Sequence, residues 1–207
     1  MDTFSILFDS QSRVKIMRLF LLNPESIFDN EEIAKRSNVK TPILRKEMSI
    51  LEKAGMIKKI SFFKEIPLKK KDEKPKKKRV SGWRLNSSFE LLRPLRNFLI
   101  NTEPMRKTEI ANRFKNVGKI RLLIVSGIFI QNEDSRVDLL IVGDQIKKAS
   151  IETALRSMES EVGKEISYAY FSTQEFLYRV EICDKFIRDV LDYPHEKIVD
   201  KIEVKAK

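Results

Sequence analysis

The sequence predicts an α+β protein built in two parts, on three observations. Residues 10–86 read as three helices followed by two strands. Residues 105–200 read as apolar strands alternating with amphipathic helices, the pattern of a mixed α/β sheet. Charge divides at the same place: residues 1–104 hold 23 Lys/Arg and 13 Asp/Glu, a net of +10, whereas residues 105–207 hold 18 and 17, a net of +1. A polycationic half joined to a near-neutral half implies two domains with different partners. The basic half calls for a polyanion, nucleic acid before acidic membrane.

Composition narrows the class. Charged residues are 34% and hydrophobic residues 42% of the 207, as in soluble globular proteins. No run reaches the ~18 apolar residues that span a bilayer. The first residues include Asp2 and Asp9 and lack a basic-then-apolar order, so no signal peptide is expected. Cys183 is the single cysteine and cannot form an internal disulfide. It is expected in a helix, buried as a small apolar group. The expectation is a cytoplasmic protein with no membrane partner.

In "SQSRVKIMRLFLLNP", 10–24, Val14, Met17 and Leu21 fall on one helical stripe flanked by Ile16 and Phe20. Ser10 or Ser12 suits the cap, and Pro24 follows the end. In "DNEEIAKRSN", 29–38, Asp29 and Glu32 have capping-box spacing, and Ile33 and Ala34 face inward. "KTPILRKEMSILEKAG", 40–55, is the clearest helix: Thr41 suits the N-cap, Pro42 the first helical position, and Leu44, Met48 and Leu51 the buried stripe. Gly55 stands where a left-handed cap is wanted. The opposite face carries the donors Lys40, Thr41, Arg45, Lys46 and Ser49. "MIKKISFF", 56–63, and "VSGWRLN", 80–86, read as the strands of a hairpin, with Trp83 packing its base.

The order and the fragments "EEIAKRSNV", "ILRKEMSILEKAGMIKK" and "GWRLN" resemble the winged-helix regulators of the arsenic-repressor type, over residues 10–86. The resemblance implies a winged helix-turn-helix domain, 1–86, whose third helix enters the major groove of double-stranded DNA. Arg45 and Lys46 there reach guanine edges or phosphates. The hairpin tip, 64–82, holds nine Lys/Arg and three Asp/Glu, more than half of the excess charge. It reads as an extended wing, in which Lys69, Lys70, Lys71, Lys76, Lys77, Lys78 and Arg79 contact phosphates, adding affinity and salt sensitivity but little sequence information.

Residues 87–104 read as a connecting helix, with Phe89, Leu92, Leu95, Phe98 and Leu99 at helical spacing and Pro94 as a kink or restart. Its stripe suits either a dimer contact or packing on its own domain. Beyond it come a helix at 105–117, strands at 119–129 and 136–144, a helix at 147–163, a strand at 165–172, a long helix at 173–191 and a closing segment, "EKIVDKIEV", readable as a further strand.

The fragments "VSGIF", "SRVDLLIVGD" and "EISYAYFSTQEFLYRV" resemble the minimal nucleotidyltransferase fold of the polymerase-β-like superfamily, over 105–200. Active members carry Gly-Ser after the first strand, Asp-x-Asp on the second and a carboxylate on a later strand, because two metal ions must clamp the triphosphate and the attacking hydroxyl. This chain departs at each point. Ile128 follows Gly127. Asp138 has Arg136 on one side of the pair and Leu140 on the other. "ISYAYFS" holds no acid. One carboxylate cannot hold two metals.

The combined expectation is a winged-helix reader fused to a minimal nucleotidyltransferase-like domain, 105–207, that is not an enzyme and takes no cofactor or metal. Such a domain serves dimerisation, nucleotide sensing or protein binding. Gly127, Arg136 and Asp138 mark its degenerate site. Arg136, Lys119 and Arg121 are either phosphate-facing there or plain surface charge. His195, without a second metal-binding neighbour, reads as a turn residue. The competing expectation is an active nucleotidyltransferase whose basic domain holds a nucleic-acid or protein substrate. RNA or protein contact by the winged domain is a third.

Overall fold

A computed structural model describes residues 3–66, 76–100, 105–132 and 134–202. The chain is α+β and divides into two compact units, Met1–Ile100 with Ser160–Lys164, and Asn101–Glu159 with Glu165–Lys207.

In the first unit, local caps start the helices. Helix α1, Thr3–Leu7, is too short for a hydrophobic period to announce it. Helix α2, Gln11–Leu22, begins at Ser10, whose hydroxyl accepts from the Arg13 amide. Helix α3, Asn30–Ser37, opens on the expected capping box: Asp29 accepts from the Glu32 amide and Glu32 accepts from the Asp29 amide. Helix α4, Thr41–Lys53, begins one residue earlier than expected. Lys40 occupies the N-cap with no side-chain bond, so Thr41 is the first helical residue rather than the cap. Gly55 closes it at φ 78°, the left-handed geometry that favours glycine.

Val14, Ile16, Met17, Phe20 and Leu21 of α2 are buried on both its stripe and its flanks, because α2 lies at the centre of this core. Ile33, Leu44, Met48 and Leu51 close around it. Strands β1, Ile57–Ile66, and β2, Lys76–Leu85, pair antiparallel from Ile57 opposite Leu85 to Ile66 opposite Lys76. The strands run well into the stretch expected as an open tip. A two-stranded ribbon closes its backbone hydrogen bonds whatever the side chains, so a charged run hides the alternation without preventing the ladder. Helix α5, Leu92–Ile100, begins five residues later than the expected 87–104, of which 101–104 lie outside the described residues, and packs on its own core: Leu99 is buried, with Phe89, Leu92 and Leu95 against the same cluster.

A paired ionic contact ties the hairpin to the start of α3. Lys64 Nζ lies 2.5 Å from Asp29 and 3.1 Å from Glu32. Burial alone would raise the Asp29 carboxyl. The Lys64 hydrogen bond, the Glu32 amide and the Lys64 charge outweigh it and hold the group below its ordinary 3.8. Hydrogen bonds to Asp29 and Glu32 raise Lys64 above its ordinary 10.5, with burial opposing. A depressed acid adds stability that is present above its unfolded value and lost as pH falls through its folded one. A raised lysine adds stability present below its unfolded value and lost only as pH rises above it. The bridge is therefore complete at pH 7. Lys64→Met is expected to cost at most about 1 kcal/mol there, the lysine being a third exposed. The cost should shrink at pH 3. Urea unfolding at the two pH values checks it, and an equal cost at both would assign the effect to packing.

The second unit is a four-stranded sheet. Helix α6, Lys107–Phe114, leads into β3, Lys119–Val125; then follow β4, Leu139–Asp144, α7, Lys148–Val162, and β5, Tyr168–Phe171. Helices α8, Thr173–Glu181, and α9, Lys185–Asp192, precede β6, Glu196–Asp200, so the first five residues of the closing segment form a strand, while 203 and 204 lie outside the described residues. The order is β5-β4-β3-β6, with β4 and β5 parallel and the other pairs antiparallel. Leu122–Val125 of β3 and Leu139–Val142 of β4 read as unbroken apolar runs because both faces are covered there. Leu122, Ile124, Leu140 and Val142 meet Phe176 of α8 and Ile187 and Val190 of α9.

Two expectations are corrected here. The long helix at 173–191 is two helices, because Asp184 caps α9 by accepting from the Ile187 amide. Cys183, expected in a helix and buried, sits at the break with φ 54° and is exposed.

Candidate nucleic-acid interface and the Gly127 turn

The free face of α4 is where the sequence puts it. Lys40, Thr41, Arg45, Lys46 and Ser49 are all exposed, while Leu44, Glu47, Met48 and Leu51 are buried. Among the described residues no ion pair engages Lys40, Arg45 or Lys46. Sequence reasoning missed two features of this helix. Ile43 stands 45% exposed among the donors, an apolar group suited to a thymine methyl. Glu47 points inward and is 4% exposed; it accepts from Ser10 Oγ at 2.7 Å and Arg13 Nε at 2.8 Å, and Arg13 also donates to the Phe8 carbonyl. That network anchors α4 to the start of α2, so the exposed donors stand on a fixed helix. Its partners lie 34 and 37 residues away, beyond any local pattern.

Lys77, Lys78 and Arg79 are exposed on β2. Lys77 and Arg79 share one face of the ribbon with Phe63, which lies opposite Arg79 and is 69% exposed; Lys78 shares the other face with Lys64. Lys76 pairs with Ile66 in the ladder. Lys69, Lys70 and Lys71 lie outside the described residues. Trp83 packs the hairpin base as expected: it is 8% exposed, donates from Nε1 to Asn30 at 2.9 Å, and exchanges backbone bonds with Phe28.

In the second unit, Gly127 opens a single 3-10 turn after β3, and Asp138 immediately precedes β4. Asp138 is 9% exposed. Its Oδ1 accepts from the Ile128 amide at 2.8 Å, and its Oδ2 accepts from the Ser167 amide at 2.8 Å and the Ser167 hydroxyl at 2.7 Å. Gly127 has φ 56°, and a Cβ there would overlap Asp138 Oδ1. The glycine thus admits the chain's own carboxylate. An amide at the start of a helical turn is where an external phosphate would dock; here Asp138 takes the Ile128 amide. In the sequence Ser167 is only one side chain of an acid-free strand, and its pairing with Asp138 spans 29 residues.

The other residues singled out for this site do not gather around it. Arg136 is bound at 2.8 Å to Asp189 of α9. Lys119 opens β3 whereas Gly127 follows its end, and Arg121 lies 3.8 Å from Asp144. His195 bonds its ring nitrogen to the Tyr193 carbonyl across a turn. Comparison with protein-family models, with curated proteins and with solved structures returns no match.

Proposed function

We propose that the protein is a DNA-binding transcriptional regulator, in which a winged-helix unit reads duplex DNA and a nucleotidyltransferase-like unit serves for dimerisation, sensing or partner binding without transferring nucleotides. The observation that carries the DNA reading is the free face of α4. Arg45, Lys46, Lys40, Thr41, Ser49 and Ile43 are exposed there on one anchored helix, beside a hairpin with further cations. An ordinary solvated helix face mixes both signs of charge, whereas Lys40 to Ser49 exposes cations and no acid. Selection of bound duplexes from a random pool tests the reading; recovery of no enriched sequence would defeat it.

Arg45→Ala is expected to weaken binding to a selected sequence by ~1–3 kcal/mol by removing a hydrogen bond to a base, and binding to random duplex by less. Titration of both duplexes measures the difference. Equal losses would leave Arg45 a phosphate contact only.

The absence of transfer rests on the lone carboxylate and on its use. Asp138 spends both oxygens on Ile128 and Ser167, and Arg136 stands where a second metal-binding acid would be needed. Incubation with labelled nucleoside triphosphates, magnesium or manganese, and DNA or RNA is expected to label nothing. Incorporation by the native chain that disappears in Asp138→Asn would make the protein an enzyme.

A further inference from the structure

At the opposite end of β3 from the Gly127 turn lies a second feature that the DNA reading does not use. A cleft of about 460 Å³ opens between the end of α6, the start of β3 and the residues after β6. Ala111, Ile120 and Val199 form its apolar floor and are partly exposed, with the buried Phe114 and Leu123 beneath them. Lys115, Lys119, Arg121 and Lys201 stand on its wall, all exposed, and no carboxylate lines it. Residues 105–207 carry a net charge of only +1, so this convergence is a local departure from a balanced surface. Three separate elements supply the four cations. The Lys201 amide donates to the Arg121 carbonyl at 2.7 Å, which holds the last two side by side. Among the described residues no ion pair engages Lys115, Lys119 or Lys201, and the acid nearest Arg121 is Asp144 at 3.8 Å.

We infer that this cleft binds a nucleoside polyphosphate, with the base on the apolar floor and the phosphates among the four cations. The volume lies in the ~300–1,000 Å³ range of small-molecule sites, more than an inorganic anion fills. A partly exposed apolar floor under a cationic wall matches a ligand with a flat organic body and a multiply charged tail. Arg121 offers a planar fork to a phosphate and the lysines offer point charges. The site is separate from the Gly127 turn, whose Ile128 amide is already bonded to Asp138. The inference goes beyond the DNA reading and does not depend on it.

Isothermal titration of the full chain with ATP, GTP and inorganic tripolyphosphate, alongside amide chemical-shift mapping, tests the site. Either nucleotide is expected to bind more tightly than tripolyphosphate and to shift the amides of Gly118 to Arg121, leaving Gly127 and Ile128 unmoved. The exposed pair Lys119→Gln/Lys201→Gln is expected to weaken nucleotide binding about tenfold or more, by removing two charge-assisted hydrogen bonds, with an unchanged melting temperature. No nucleotide binding, unchanged binding in the double variant, or shifts centred on Gly127 would overturn the site. Tripolyphosphate binding as tightly as ATP would overturn the ligand class. DNA selection by the native chain is a separate readout, so failure of the cleft and failure of the DNA reading are distinguishable.

Discussion

Asp138→Ala is expected to destabilise the second unit by about 3–5 kcal/mol, a large fraction of a typical domain's stability. The carboxylate is nearly buried and accepts from two backbone amides and a hydroxyl. Bonds to a charged acceptor contribute ~1.5–3 kcal/mol each, and a buried donor left without a partner costs ~1–3 kcal/mol. The three donors come from the turn after β3 and the segment before β5, so their loss loosens both flanks of β4 together. Gly127→Ala should be similarly severe. It adds a left-handed penalty of ~1–2 kcal/mol and drives a methyl into a carboxylate that can move only by giving up its bonds. The two changes act on one interaction, so the double variant should lose less than the sum. Denaturant unfolding monitored at the sheet reads all three. A carboxylate held for catalysis behaves oppositely, since removing an unpaired charge commonly leaves a fold unchanged or more stable. A loss under about 0.5 kcal/mol for Asp138→Ala would therefore undo the clamp described above.

Lys77→Gln/Lys78→Gln/Arg79→Gln is expected to weaken binding to every duplex and to flatten the dependence of log affinity on log salt. Each phosphate that the protein no longer neutralises lowers the slope by up to ~0.9, so three of them would lower it by about 2.7. Across a fourfold rise in salt, that change amounts to roughly a 40-fold difference in how far affinity falls. The register adds a refinement that the charge run alone does not contain. Lys77 and Arg79 lie on the Phe63 face and Lys78 on the Lys64 face. If one face meets the backbone, the single changes Arg79→Gln and Lys78→Gln should differ in their effect on the slope. Filter binding at four salt concentrations measures both variants, and an unchanged slope in the triple variant would remove the hairpin from the interface.

What the sequence determined by itself was local. The capping box at Asp29 and Glu32, the left-handed stop at Gly55 and the buried stripe Leu44, Met48, Leu51 depend on neighbours within four residues, where helical geometry dictates the spacing. The exposed donors of α4 follow from that stripe, since they occupy the opposite face. The apolar runs of β3 and β4 announced buried central strands. Tertiary structure alone decided what joins distant residues. Glu47 reads as one more charge on an amphipathic helix until Ser10 and Arg13 enclose it. Lys64 is one lysine among many until the hairpin carries it to Asp29. The break at Cys183 is masked because the apolar period continues across it, and only the Asp184 cap shows the change of direction. Ser167 acquires its meaning from Asp138, and Lys119, Arg121 and Lys201 from the pairing of β3 with β6. Spacing along a chain reveals which residues share a face. Which faces and ends come together depends on how the whole chain buries its apolar surface, and that is where this protein's clamps and its cleft arise.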